Sequence, residues 1–276
     1  MTLGVVLGLC SAFVWGTGDY CGGRAAARSD PFQVLLLAAV SGIAMLVAAA
    51  WMTGEPLIVD LSLLWAAGAG MAGSLGIVAL YRGLAIGCAA TVAPLAAVGA
   101  AAMPVLYGAV AQGMPRPTQL AGFVVALAGI GLVSRAKAEA AGSRESIQLG
   151  GLAGIGFGCF LILIANAHPG AVYLPLAVAR SMMLVTAVTT LAVRRVPFPG
   201  LASNPVGLLA GVLDAGGNVL YMMAGQHIRL DMAAVLSSLY PVATVALARL
   251  VSREAITRTQ WLGAGACLVA VLLITA

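Results

Sequence analysis

The stretch TQLAGFVVALAGIGLVS at residues 118–134 returns as TQWLGAGACLVAVLLIT at residues 259–275, an offset of 141 that matches Thr118 with Thr259, Gln119 with Gln260 and Gly122 with Gly263. Two leucines in the same stretch also align, Leu127 with Leu268 and Leu132 with Leu273. Near the same offset, Trp15-Gly16 falls on Phe157-Gly158. Self-similarity of this kind marks a duplicated structural unit. The polar segment from Arg135 to Gln148 separates the copies, so the chain reads as a first repeat at 1–136, a charged linker at 137–148 and a second repeat at 149–276.

Outward from that pair, each copy resolves into five apolar stretches. They lie at 3–23, 31–52, 62–86, 89–111 and 118–134, then at 149–167, 171–193, 204–226, 232–251 and 259–276. Each has about the 17 to 25 residues that a helix rising 1.5 Å per residue needs to cross a hydrocarbon layer of about 30 Å. Helices are required because hydrocarbon offers unpaired backbone groups no partner, and barrel strands would be shorter and alternating. The predicted class is an all-α integral membrane protein with ten transmembrane helices.

Composition leaves little else. Hydrophobic residues make up 62% and charged residues 8% of the chain, and the mean hydropathy is +1.05, which excludes a soluble domain beside the bundle. The net charge of +5 comes from basic residues at helix ends, where they meet lipid headgroups instead of nucleic acid. Cys10, Cys21, Cys88, Cys159 and Cys267 form no metal-like or redox-like pair and read as small packing residues. No cofactor or metal is implied. Residues 1–8 lack a basic leader, so the first span is expected to be kept as a helix.

Five is an odd number, so the second copy must cross the membrane in the opposite sense to the first. The result is an inverted repeat about an axis in the membrane plane, an arrangement used by secondary transporters with a site near mid-membrane between the halves. Gly150, Gly154 and Gly158, like Gly4 and Gly8, recur at four-residue spacing and predict close helix packing. Pro94, Pro104, Pro175 and Pro241 remove amide donors in or near spans and predict bends.

Two charges of opposite sign remain at mid-span, Arg180 and Asp214. On insertion scales each costs about 2.5 to 3.5 kcal/mol at the bilayer centre. Asn218 and Tyr221 share the helical face of Asp214, and Gly211 leaves space one turn earlier. Trp15 and Asp19 share a face of the first span, while Tyr81 and Arg82 stand near the end of the third. The candidate substrate-binding set is Trp15, Tyr81, Arg180, Asp214, Asn218 and Tyr221. A purely structural ion pair is the alternative for Arg180 and Asp214, but their repeat equivalents are uncharged, so the scaffold does not need them. Asp19 and Arg82 are divided between a site role and snorkelling to the interface. His168 and His227 lie at span ends and read as interfacial.

With Trp15-Gly16 and Asp19 in span one, Arg180 in mid-span, the run Ser237-Ser238-Leu239-Tyr240-Pro241 in span nine and Arg253-Glu254 before span ten, the chain resembles the EamA branch of the drug/metabolite transporter superfamily along essentially its whole length. The resemblance implies a ten-helix inverted-repeat carrier, often an exporter, of amino acids, other metabolites or drugs, with the six candidate residues near the solute. One departure is that Gly113 occupies the repeat equivalent of Glu254, where such carriers usually have a glutamate.

The expected function is therefore secondary active export of a small organic solute across the cell membrane by alternating access. Arg180 would meet an anionic group, and Asp214 a cationic group or a coupling proton. A lipid flippase or scramblase of the same fold is the alternative. An enzyme would want a convergent nucleophile and base or a metal cluster, and a channel would show a filter or charged rings; neither is visible in the sequence. The partners expected are the small-molecule substrate and the lipid bilayer, with the protein a monomer or homodimer. Eleven Arg and Lys residues lie at odd-numbered connections, against Arg116 and Arg229 on the other face. The positive-inside rule then predicts both termini outside, whereas the resemblance implies both inside.

Overall fold

In the computed structural model the described residues are 1–56, 60–85, 89–134, 144–167, 170–253 and 256–276. They form helices α1 (Thr2–Ala26), α2 (Pro31–Thr53), α3 (Ser62–Ala85), α4 (Ala89–Ala111), α5 (Pro117–Val133), α6 (Arg144–Ala165), α7 (Tyr173–Val193), α8 (Pro205–Gly225), α9 (Leu230–Ser237), α10 (Tyr240–Ser252) and α11 (Arg258–Thr275). Long apolar side chains such as Leu106, Val124, Leu250, Leu268 and Leu272 stand exposed on the outside of these helices. A surface so apolar suits hydrocarbon and not water. The protein is a multi-pass membrane protein.

Among the described residues, nine of the ten predicted crossings are long and apolar enough to span a membrane and the fifth, α5, is a shorter apolar helix of 17 residues; two others differ from expectation. The ninth is made of two helices, because Pro241 has no amide hydrogen for the Ser237 carbonyl. The chain tightens there, with Leu239 N donating to Leu236 O and Val242 N to Leu239 O. The sixth begins at Arg144, ahead of the expected start at 149, since Glu145 at its first turn reaches Arg82 and Ser146 is buried.

The repeat that opens the sequence is visible as a contact made twice. A methyl group on Gly122 of α5 would lie 2.7 Å from Ile274 and 3.1 Å from Leu273 of α11, and one on Gly263 of α11 would lie 2.7 Å from Val133 and 2.8 Å from Leu132 of α5. Each residue of the second contact is the first shifted by 141. The start of each helix thus packs on the end of the other, so α5 and α11 are antiparallel and the two five-helix units are inverted. Gln119 and Gln260 repeat as well: each accepts the amide of the residue three before it, Arg116 and Thr257, and so closes its helix start.

The same symmetry orders the rest. α1 packs on α8 as α6 packs on α3, and α2 packs on its own equivalent α7. Gly154 and Gly158 of α6 meet Gly99 and Met103 of α4, while Gly4 and Gly8 of α1 meet Ile228 and Leu236, so these glycines are packing positions. α2 and α7 are tied at both ends. The Glu55 carboxylate accepts from the amides of Val172, Tyr173 and Leu174 at the start of α7. At the other end Arg194, just past α7, pairs with Asp30, the N-cap of α2, at 3.2 Å.

Candidate functional site

Near the middle of the bundle α1, α2, α7, α8 and α10 come together. α8 reaches α2 because Gly211 has no side chain: a methyl there would collide with Ala38 and Ser41. The space beside Asp214 expected from Gly211 is therefore filled by the α2 backbone. What the close approach achieves is to bring Gly42 of α2 against Arg180 and to hold α8 beside α7. Gly18 plays the same part for α1, its missing methyl lying 3.3 Å from the Asp214 amide.

Arg180 and Asp214 form a direct ion pair through Nη2 and Oδ2. The pair is lopsided. The Arg180 side chain is 5% exposed and the Asp214 side chain 41%, so the cation is enclosed while the carboxylate is open on one side. Trp15 lies over α8, its Nε1 donating to the Asp214 carbonyl at 3.2 Å. A methyl on Gly217 would collide with the indole, so this glycine is what lets the ring settle there. Its other faces meet Tyr221, stacked at 6.0 Å between centroids, and Tyr240, edge-on at 6.3 Å.

Asn218 donates through Nδ2 to the Asp214 carbonyl at 2.7 Å, and its buried Oδ1 has no partner. Tyr221 is buried, with its hydroxyl donating to Leu161 O at 2.9 Å, so it reaches the site through Trp15. Five of the six candidate residues are thus brought together. Tyr81 lies on α3, and its side chain is outside the described residues. Arg82 points away, forming an exposed pair with Glu145 at 3.1 Å. Glu254, Cys88 and His168 are outside the described residues, and His227 is exposed at the end of α8.

Two residues were not among the candidates. Tyr240 sits where the ninth span breaks, and an aromatic residue next to an in-span proline was the available signal. Asp231 is fully buried at the start of α9 and pairs with Arg229 at 2.8 Å. Arg229 also donates to the carbonyls of Gln112 and Gly113, and Gln112 accepts from the Leu230 amide. The hydrogen bonds that Arg229 donates to the Asp231 carboxylate push its pKa above the usual arginine value. This cluster joins the α4–α5 turn to the start of α9 at the end of the bundle where α1 begins. The Arg-x-Asp spacing on the face poor in charge was its only sequence signal.

Comparison with known proteins agrees with this architecture. No curated protein matches the chain. A solved structure described only as "Crystal structure of protein" superposes with a TM-score of 0.75 at 18% identity, over 99% of this chain and 96% of that one; at that identity the likeness concerns the fold alone. The EamA-like transporter family matches at residues 2–135 and again at 148–276. With both halves matched, the chain belongs to the EamA-like transporter family and is a membrane transporter of the drug/metabolite type.

Proposed function

We propose that this protein is a secondary active carrier that exports a small organic metabolite or drug-like solute across the cell membrane by alternating access. The solute rests against Trp15, Tyr240 and the open side of Asp214. The observation that carries this reading is the lopsided Arg180–Asp214 pair: at the junction of the two repeats, a mid-membrane carboxylate stays open beside an aromatic wall. A pair needed only for structure would gain by closing over both partners, since an exposed charge inside a membrane protein is costly.

The two ends of the bundle support the alternating-access part. Arg229, Asp231, Gln112 and Gly113 hold α4 and α9 together at the end where α1 begins. Toward the opposite end, Asp19 is exposed one turn beyond Trp15. In this reading the conformation is the one open toward the Arg-rich face, which the positive-inside rule places in the cytoplasm. Coupling to a proton passes through Asp214 in this reading, and one chain encloses the whole pathway, so a monomer suffices.

The test is flux in liposomes containing the purified protein, with a fluorescent-lipid assay in parallel. Solute movement that disappears in Trp15→Ala and Asp214→Asn supports the carrier. Lipid movement without solute uptake would replace it with a scramblase.

A further inference from the structure

The geometry points to an organic monocation as the solute, with Asp19 as its counter-ion. This rests on the reading of the Trp15–Asp214 region as the solute site and narrows it to a charge class. Arg180 and Asp214 cancel one another, and Arg180 is too enclosed to meet a second anion. Asp19 remains. It is exposed, lies close enough to Asp214 for the two charges to interact, and has no hydrogen-bond or ion-pair partner among the described residues. Arg24, the next cation along α1, is turned to Tyr20, donating to its hydroxyl at 3.3 Å and lying over its ring. With Asp19 ionised, the site carries one negative charge that no cation pairs with among the described residues.

The unused hydrogen-bonding capacity has the same sense. Asp19 can only accept while ionised, and Asn218 has its donor engaged and its Oδ1 without a partner. Both lack a donor, and an ammonium group supplies several. Tyr240, edge-on to Trp15 at 6.3 Å, adds an aromatic ring of the kind that attracts a cation. Tyr240 lies within electrostatic range of both Asp19 and Asp214. A carboxylate solute would instead face two aspartates, with the Arg180 guanidinium already engaged. The same holds for the acidic end of a zwitterion, which removes the anion-binding role that mid-span Arg180 suggests from sequence alone.

The experiment is equilibrium binding to the purified full chain of three probes sharing one body: phenethylammonium, phenylacetate and phenethyl alcohol. Choline and tetraethylammonium serve as cations without a ring. The expected result is binding of the cations only, weakened at least about tenfold by Asp19→Asn, as loss of a charged hydrogen-bond partner implies. Asp19→Glu should keep the preference for cations. The thermal midpoint without ligand should hold or rise, because Asp19→Asn breaks no hydrogen bond and removes a repulsion from Asp214; were Asp19→Asn to lower the yield, the charge ranking of the unmodified protein decides by itself. Binding of phenylacetate or phenethyl alcohol as tight as that of the ammonium overturns the proposal. So does equal cation affinity in Asp19→Asn, or no binding of any cation. Trp15→Ala separates the two levels: a probe that depends on Trp15 but not on Asp19 leaves the site standing and removes the charge class, whereas a probe indifferent to both removes the site.

Discussion

The pair Arg229–Asp231 at one end of the bundle and the pair Arg180–Asp214 near its middle join the same two chemical groups, yet their surroundings differ in kind. In the first, Asp231 is fully buried and accepts from Arg229 and from the Met232 amide, and Arg229 (side chain 27% exposed) also holds two carbonyls of the α4–α5 turn. Its hydrogen-bonding capacity is engaged within the protein. In the second, the cation is enclosed, but the carboxylate is open and its neighbours Asp19 and Asn218 have acceptors to spare. A saturated pair fastens helices together, while an unsaturated one has something left for a ligand.

Breaking the saturated pair should have the largest effect. Arg229→Ala leaves Asp231 buried without its counter-charge, and thermal unfolding in detergent should show a loss of about 3–5 kcal/mol. A loss below about 1 kcal/mol would mean that the end of the bundle is not held this way. For Asp214→Asn the order reverses: liposome flux, including its response to a pH gradient, should fall by about 10- to 100-fold, equivalent to 1.4–2.8 kcal/mol in solute interaction. The melting point should drop as well, since Arg180 is left enclosed without its counter-charge, but less than in Arg229→Ala because the asparagine Oδ1 can still accept from the guanidinium; equal destabilisation in the two variants would dissolve the contrast.

The repeats allow a finer version of the same comparison. Phe157 stands against Gly76 as Trp15 stands against Gly217, and 217 less 141 is 76. A methyl at either glycine must displace a ring, so Gly217→Ala and Gly76→Ala should each cost about 1–3 kcal/mol on unfolding. Only the first should reduce flux, because the equivalent of Asp214 behind Phe157 is Gly73. Flux lost equally in both would place solute contacts in both halves. At the small end, Arg82→Ala removes an exposed pair with Glu145 and should change stability by no more than about 1 kcal/mol, with flux unaltered. A reporter fused after Ala276 fixes which compartment meets the fastened end: activity outside the cytoplasm agrees with the arginine count, and cytoplasmic activity reverses it.

Much of the fold was legible because hydrocarbon imposes length and apolarity on every crossing, and the Thr-Gln repeat carried its own capping chemistry in Gln119 and Gln260. Arg180 and Asp214 were legible for a related reason, since opposite charges at one depth have no other partner within reach. Trp15 and Asn218 followed from helical spacing. The break in the ninth crossing was only half legible: Pro241 signalled a bend, but the apolar run through it is continuous. Asp231 was hidden at the start of its span, where a charge reads as interfacial and only tertiary packing buries it. Gly211 misled because a missing side chain leaves room for a neighbour as readily as for a ligand, and here α2 takes it.

The doubled contact of Gly122 and Gly263 is isologous, the kind of surface by which two identical subunits join about a twofold axis. In such a dimer each substitution appears twice, so an aspartate at the Asp214 position would come with a second copy at the equivalent position of the other unit. Joining both units in one chain removes that constraint. Asp19, Arg180 and Asp214 occur once each, opposite Leu161, Ala39 and Gly73, and a scaffold built for symmetry holds a cluster of charges on one side only.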